Sequence, residues 1–365
     1  MKVADIASVI DQFAPVSLQE DYDNCGLLTG NLQNEISGVL ITLDVTEDIL
    51  DEAIKNDCQM IISHHPVVLK SGLRRFTGRS VAERIIIKAI KNNISLYASH
   101  TNADMVSDGV SGMMCRKLGL VNCSVLEPRV NDLVKLVTFV PVDHLEKVRQ
   151  AIFEAGAGVI GNYDSCSFMV DGQGSFRGND TTNPFVGEQN KLHFEHEVRV
   201  ETILPSYLQS RVVNSLIDAH PYEEVAYDLY PLKNQWPNKG LGMVGELPKE
   251  ISEMEFLKSL KSTFQLKVIR HTELLGKQIK KVAVCGGAGS SLLGRAIGKG
   301  ADIFITGDFK YHQFFDANRK ILVADIGHYE SEQFTKELFF ELLTKKFPNF
   351  AIRLSKINSN PIKYL

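Results

Sequence analysis

Two stretches of this 365-residue chain repeat one phrase, and that repeat limits the fold more than any other feature. From Ala53 to Ser63 is ten positions, and from Ala296 to Thr306 is also ten, with Ile61-Ile62 and Phe304-Ile305 closing the two copies. Each copy reads strand, helix, strand: residues 39–43, 46–56 and 60–62 in the first, and 281–284, 292–299 and 303–305 in the second. A further apolar strand follows each, at 94–98 after a helix over 80–92, and at 321–324. Short apolar strands alternating with helices predict an α/β layer of parallel pairings, buried on both faces. The repetition predicts two related α/β lobes, residues 1–126 and 246–365, forming one discontinuous domain.

The segment between them, 127–245, has another grammar. Strand 135–140, helix 143–155, strand 167–170, strand 197–203, helix 207–219 and strand 225–230 give the βαββαβ order of an inserted ferredoxin-like domain. The link at 172–188 is rich in Gly, Asn and Thr and reads as an exposed loop.

Composition narrows the function classes. With 44% hydrophobic and 23% charged residues the chain is that of an ordinary soluble protein. Forty basic residues against 44 acidic leave a net charge of −4, so no broad basic surface exists for nucleic acid. Lys277, Lys280 and Lys281 form the densest basic cluster of the mid-chain and read as a solvated turn. The N-terminus carries Asp5 and an amphipathic spacing of Val3, Ile6, Ile10 and Phe13, not an apolar leader, and no segment is apolar enough to span a bilayer. Six scattered cysteines without a C-x-x-C pair fit a reducing compartment. The expectation is a cytoplasmic protein with no nucleic-acid or membrane partner.

Three polar clusters stand directly after strands, where open α/β sheets place their sites. Ser63-His64-His65-Pro66 offers adjacent imidazoles that can splay toward two metal ions, or supply one buried and one exposed histidine with no metal. In His100-Thr101-Asn102-Ala103-Asp104, Asp104 is placed to bridge two metals or simply to cap a turn, and His100 to ligate or to hold Asp104. In Gly327-His328-Tyr329-Glu330-Ser331-Glu332, the spacing of four puts His328 and Glu332 on one helical face, although acids there also suit a helix N-terminus. Taken together, His64, His65, Asp104, His328 and Glu332 suffice for two divalent ions, with zinc first and Fe, Mn, Co or Ni as alternatives. Two such ions outweigh two carboxylates and a hydroxide by about one unit of charge, which favours an anionic small-molecule substrate. His100, His312 and Glu330 are candidate proton carriers, and Asp308, like His312, is either an acid–base group or a support for the ligands. Gly286-Gly287-Ala288-Gly289-Ser290-Ser291 is either a phosphate cradle or a tight turn, and no Gly-x-Ser-x-Gly elbow supports a serine hydrolase.

Across essentially the whole chain these motifs, with Asp23-Asn24-Cys25-Gly26-Leu27 and Gly307-Asp308, resemble the Nif-three-like dinuclear-metal proteins, the GTP cyclohydrolase I type 2 homologues. The insert is similar to the PII/CutA-like domain of bacterial members through Gly161-Asn162-Tyr163, Cys166-Ser167-Phe168, Asn183-Pro184 and His220-Pro221-Tyr222-Glu223. Tyr22 and Ala103 depart from common family residues without touching a proposed ligand. The resemblance implies the same five metal ligands, with Asp104 bridging, and a toroidal homohexamer whose sites face an inner cavity. It also implies a metal-dependent hydrolase on a nucleotide-like molecule, opening the guanine imidazole ring of GTP by a metal-bound hydroxide. The alternatives are a non-enzymatic metal-containing regulatory or small-molecule-binding protein, and a metal store.

Overall fold

The computed structural model describes residues 1–73 and 75–365. It divides into one unit built from 1–128 and 238–365 and a second from 129–237.

The first unit holds two sheets. In one, the spatial order is Gly26–Thr29, Ser95–Ala98, Met60–Ser63, Gly38–Thr42, Ala351–Leu354. The other runs Arg270–His271, Leu322–Asp325, Ile303–Thr306, Gln278–Val284, Gln235–Ser252, Val121–Val130. Within each, three consecutive strands pair in parallel, Val39 with Met60 and Met60 with Ser95, then Val282 with Ile303 and Ile303 with Leu322. The repeat extends further than the sequence showed. Each sheet also carries an antiparallel edge strand on the third of these, Gly26–Thr29 on Ser95–Ala98 and Arg270–His271 on Leu322–Asp325. These are the two related α/β lobes expected. What breaks the symmetry is the C-terminal strand Ala351–Leu354, which crosses to the first sheet and pairs in parallel with Gly38–Thr42.

Local chemistry explains the elements. Thr46 and Ser80 side chains accept hydrogen bonds from Ile49 and Glu83 backbone N–H groups, capping helices Glu47–Lys55 and Val81–Lys91. Both helices turn an apolar stripe inward, so that Ile49, Leu50, Ala53, Ile85 and Ala89 pack on Leu40, Ile61 and Leu96. Strands Met60–Ser63 and Ile303–Thr306 are buried at every position, as expected of strands covered on both faces. Their polar ends, Ser63 and Thr306, mark where backbone leaves the sheet and side chains can converge.

The second unit has the order strand Leu133–Pro141, helix Leu145–Glu154, strands Ser167–Phe176 and His193–Pro205, helix Gln209–Ala219, strand Tyr227–Leu232. Its four strands form one antiparallel sheet. Val148, Ile152, Val212 and Leu216 of the helices pack on Leu136, Val140, Val198 and Val200 of the strands.

Candidate metal centre

Four imidazoles gather at the strand ends of the first unit. Ring centroids of His64 and His65 are 4.9 Å apart, His64 and His100 5.1 Å, His65 and His100 5.3 Å, and His65 and His328 5.2 Å. Each ring is held by Nδ1. That nitrogen of His64 lies 2.9 Å from the Ser99 carbonyl, of His65 2.7 Å from Asp44, of His100 2.9 Å from Asp23, and of His328 2.8 Å from Asp308. Carbonyls and carboxylates only accept, so Nδ1 carries the proton of the neutral ring and Nε2 is the nitrogen that then offers a lone pair. A partner on the remote nitrogen that fixes tautomer and orientation is the usual support of a metal-ligating histidine.

The lone pairs face one another and the acids. Nε2 of His65 and of His328 are 3.3 Å apart, and lie 3.0 and 3.2 Å from Glu332 Oε2. Nε2 of His64 is 3.7 Å from Glu332 Oε1 and 3.8 Å from Asp104 Oδ1. His64 Nε2, Asp104 Oδ1 and Glu332 Oε2 are all shielded from solvent with no well-formed hydrogen bond. Unsatisfied acceptors that converge in a buried place are costly unless a cation joins them. Ligand atoms of His64, His65 and His100, and separately of His65, His328 and Glu332, lie within 4.8 Å of one another. These two groups can each hold a metal ion, and a mixed imidazole and carboxylate donor set suits a divalent transition ion.

The electrostatics follow from the same convergence. Burial favours the neutral ring of His65, but the carboxylates of Asp44 and Glu332 beside it outweigh burial and push its pKa up to about 10. The Glu332 carboxylate raises His328 to about 9 against burial. Burial raises Asp104, with Glu332 adding to it against nearby imidazoles. Glu332 goes the other way: His64, His328 and His65 overcome its burial and hold it well below the ordinary glutamate value.

The fold places each group. His64 and His65 leave strand Met60–Ser63, and His100 and Asp104 follow Ser95–Ala98. His328 and Glu332 open and close the short helix His328–Glu332, which ends there instead of running on; a second helix, Thr335–Lys346, follows it. Three amides of the glycine loop are not free to cradle phosphate. Gly286, Gly287 and Gly289 amides are taken by the hydroxyls of Ser111, Ser331 and Thr306. Instead Gly287 seats the acid: its φ is +62°, and a Cβ there would lie 2.2 Å from Glu332 Oε1.

At this point relatives decide the family. The chain matches DUF34/NIF3 (NGG1p interacting factor 3) over residues 1–361. It belongs to the DUF34/NIF3 family. It is 40% identical to a Halalkalibacterium halodurans protein over the full length of both chains, and 40% identical to one from Bacillus subtilis covering 99% of this chain and 98% of the other. Both are named GTP cyclohydrolase 1 type 2 homolog. The crystal structure of a Bacillus cereus protein related to NIF3 superposes with a TM-score of 0.84 at 38% identity, covering 100% of this chain and 99% of that one.

In this DUF34/NIF3 chain His64, His65, His100, Asp104, His328 and Glu332 come together. His312 does not join them: it is exposed, edge-on to Tyr311 at 5.2 Å. Glu330 turns to the C-terminal tail, where its carboxylate accepts from Asn360 at 2.9 Å. Asp44 was not singled out by sequence reasoning, although it stands just beyond strand Gly38–Thr42, at the same kind of strand end as the other clusters. Its second oxygen accepts from Ser359 at 2.6 Å, so the tail braces the group that braces His65.

Proposed function

We propose that this chain holds two divalent cations on His64, His65, Asp104, His328 and Glu332 and hydrolyses an anionic, nucleotide-like small molecule. One observation carries the reading: four imidazoles, each anchored by Nδ1, gather in one place, and Nε2 of three of them, His64, His65 and His328, turns toward carboxylate oxygens of Asp104 and Glu332. When bound, paired divalent ions supply Lewis acidity and make water nucleophilic near neutral pH.

The residues of the chain do the rest. Asp44 and Asp308 keep His65 and His328 in the ligating tautomer, and Gly287 leaves room for Glu332 to reach between them. Asp308 itself sits at φ 57°, a conformation that costs about 1 kcal/mol or more for a non-glycine residue and that aims its carboxylate at His328. His100 stands beside His64 and His65 with Asp23 behind it. The pair has the form of a proton-carrying dyad, the imidazole oriented by a buried acid that His100 and Thr101 keep ionised.

The relatives named GTP cyclohydrolase 1 type 2 homolog make GTP the first substrate to assay. Purified, metal-loaded protein incubated with GTP is expected to release formate, and His65→Ala protein is not. Turnover by the parent no greater than that of His65→Ala would exclude the cyclohydrolase reading, while metal analysis of the same two samples judges the ligand set by itself.

A further inference from the structure

The second unit contains an open cleft of about 960 Å³ lined only by its own residues. Its walls are aromatic: Phe139, Phe176, Phe185 and Tyr222, with Phe176 and Phe185 ring centroids 6.1 and 6.2 Å from that of Tyr222. Into it faces the carboxylate of Glu197, a residue only 8% exposed. Oε1 accepts a hydrogen bond from the Tyr222 hydroxyl at 2.8 Å. Among the described residues no donor reaches Oε2, and no Lys, Arg or His forms an ion pair with Glu197. Two cationic residues line the cleft: Arg199 is committed elsewhere, to Glu201 at 2.9 and 3.0 Å and over the Phe139 ring, and Arg177 forms no ion pair with Glu197.

A buried carboxylate with no counter-charge is a cost that a cationic partner removes. Aromatic faces add attraction for the same sign of charge, most strongly for an alkylammonium head. Gly174 opposite keeps the place open, since a Cβ there would lie 2.0 Å from Glu197 Oε2. Glu223 and Glu224 at the rim extend the negative lining. We propose that this cleft is a binding site for a small organic ammonium ion, with Glu197 as its counter-ion and Tyr222, Phe176 and Phe185 as its aromatic walls. The site is independent of the metal centre and of any reaction there.

Calorimetric titration of the full-length protein with choline, with putrescine and with the uncharged tert-butyl analogue of choline tests it. At least one cation is expected to bind, and more tightly than the neutral analogue; which one distinguishes a quaternary from a primary ammonium site. Glu197→Gln is expected to weaken that binding by about tenfold or more, the loss of a charge-assisted contact. Gly174→Ala, which displaces the same carboxylate without removing it, should weaken it too, while His65→Ala should bind like the parent. Thermal unfolding checks that each variant folds, and Tyr222→Phe provides a milder change if Glu197→Gln does not. Cation binding no better than that of the neutral analogue, unaltered binding by folded Glu197→Gln or Gly174→Ala, or preference for inorganic phosphate over both cations would overturn the proposal.

Discussion

At the scale of single residues, the proposed centre depends on atoms outside its ligand set. Gly287 is one: at φ +62°, 2.2 Å from the Glu332 oxygen once a Cβ is added, it tolerates no side chain without moving the acid. Gly287→Ala is expected to lose bound metal while costing roughly 1–2 kcal/mol in left-handed backbone strain. Metal content per chain read beside the unfolding midpoint checks this, and full metal content would contradict it. Asp44 acts through His65 in the same way, so Asp44→Ala should weaken metal affinity about 10–100-fold, as measured by competition with a chelator. His100 allows a sharper distinction. As the proton carrier, His100→Gln should keep both ions and lower turnover by about 10²–10⁴-fold. If metal analysis finds an ion missing instead, His100 is a ligand.

At the scale of elements, strand ends and the C-terminal tail decide what meets. The clusters after Met60–Ser63 and Ser95–Ala98 were legible because alternating apolar strands and helices announce a parallel sheet, and such sheets put their chemistry at the carboxyl ends of strands. His328 and Glu332 were legible by helical spacing, although the helix holding them is only five residues long. The tail was not legible. No periodicity connects Ser359 to Asp44 or Asn360 to Glu330, since these contacts arise only after Ala351–Leu354 has paired with Gly38–Thr42 across the chain. Removing residues 358–365 is therefore expected to leave secondary structure intact by circular dichroism and to loosen metal binding, because Asp44 loses its second anchor. Metal retention equal to that of the whole chain under dialysis against a chelator would count against this. By contrast Ile61, wholly buried in the central strand, supports the sheet itself, and Ile61→Ala should cost about 2–5 kcal/mol in urea unfolding.

At the scale of the molecule, the proposed metal ions would compete with protons for one place. In protein stripped of metal, His65 and His328 hold protons up to about 10 and about 9, against 6.5 for an ordinary imidazole. A folded-state value raised in this way stabilises the fold fully below pH 6.5, and that contribution is lost as pH rises through about 9 and then about 10. The stripped protein should therefore lose thermal stability between these limits. Metal-loaded protein, whose rings are already unprotonated at Nε2, should show a flatter profile, and parallel profiles would refute the assignment. By itself the sequence determined the α/β class and the lobe repeat and singled out the six residues, His64, His65, His100, Asp104, His328 and Glu332, that gather at the strand ends, because strand and helix periods and the polar residues that end them are local facts. Only the tertiary structure decided that His64 and His328, 264 positions apart, share one acid, that Asp44, Gly287 and Ser359 serve them, and that Glu197 lies buried without a counter-charge. The reason is physical: which lone pairs are left unsatisfied depends on everything packed around them, and packing is settled by the whole chain at once.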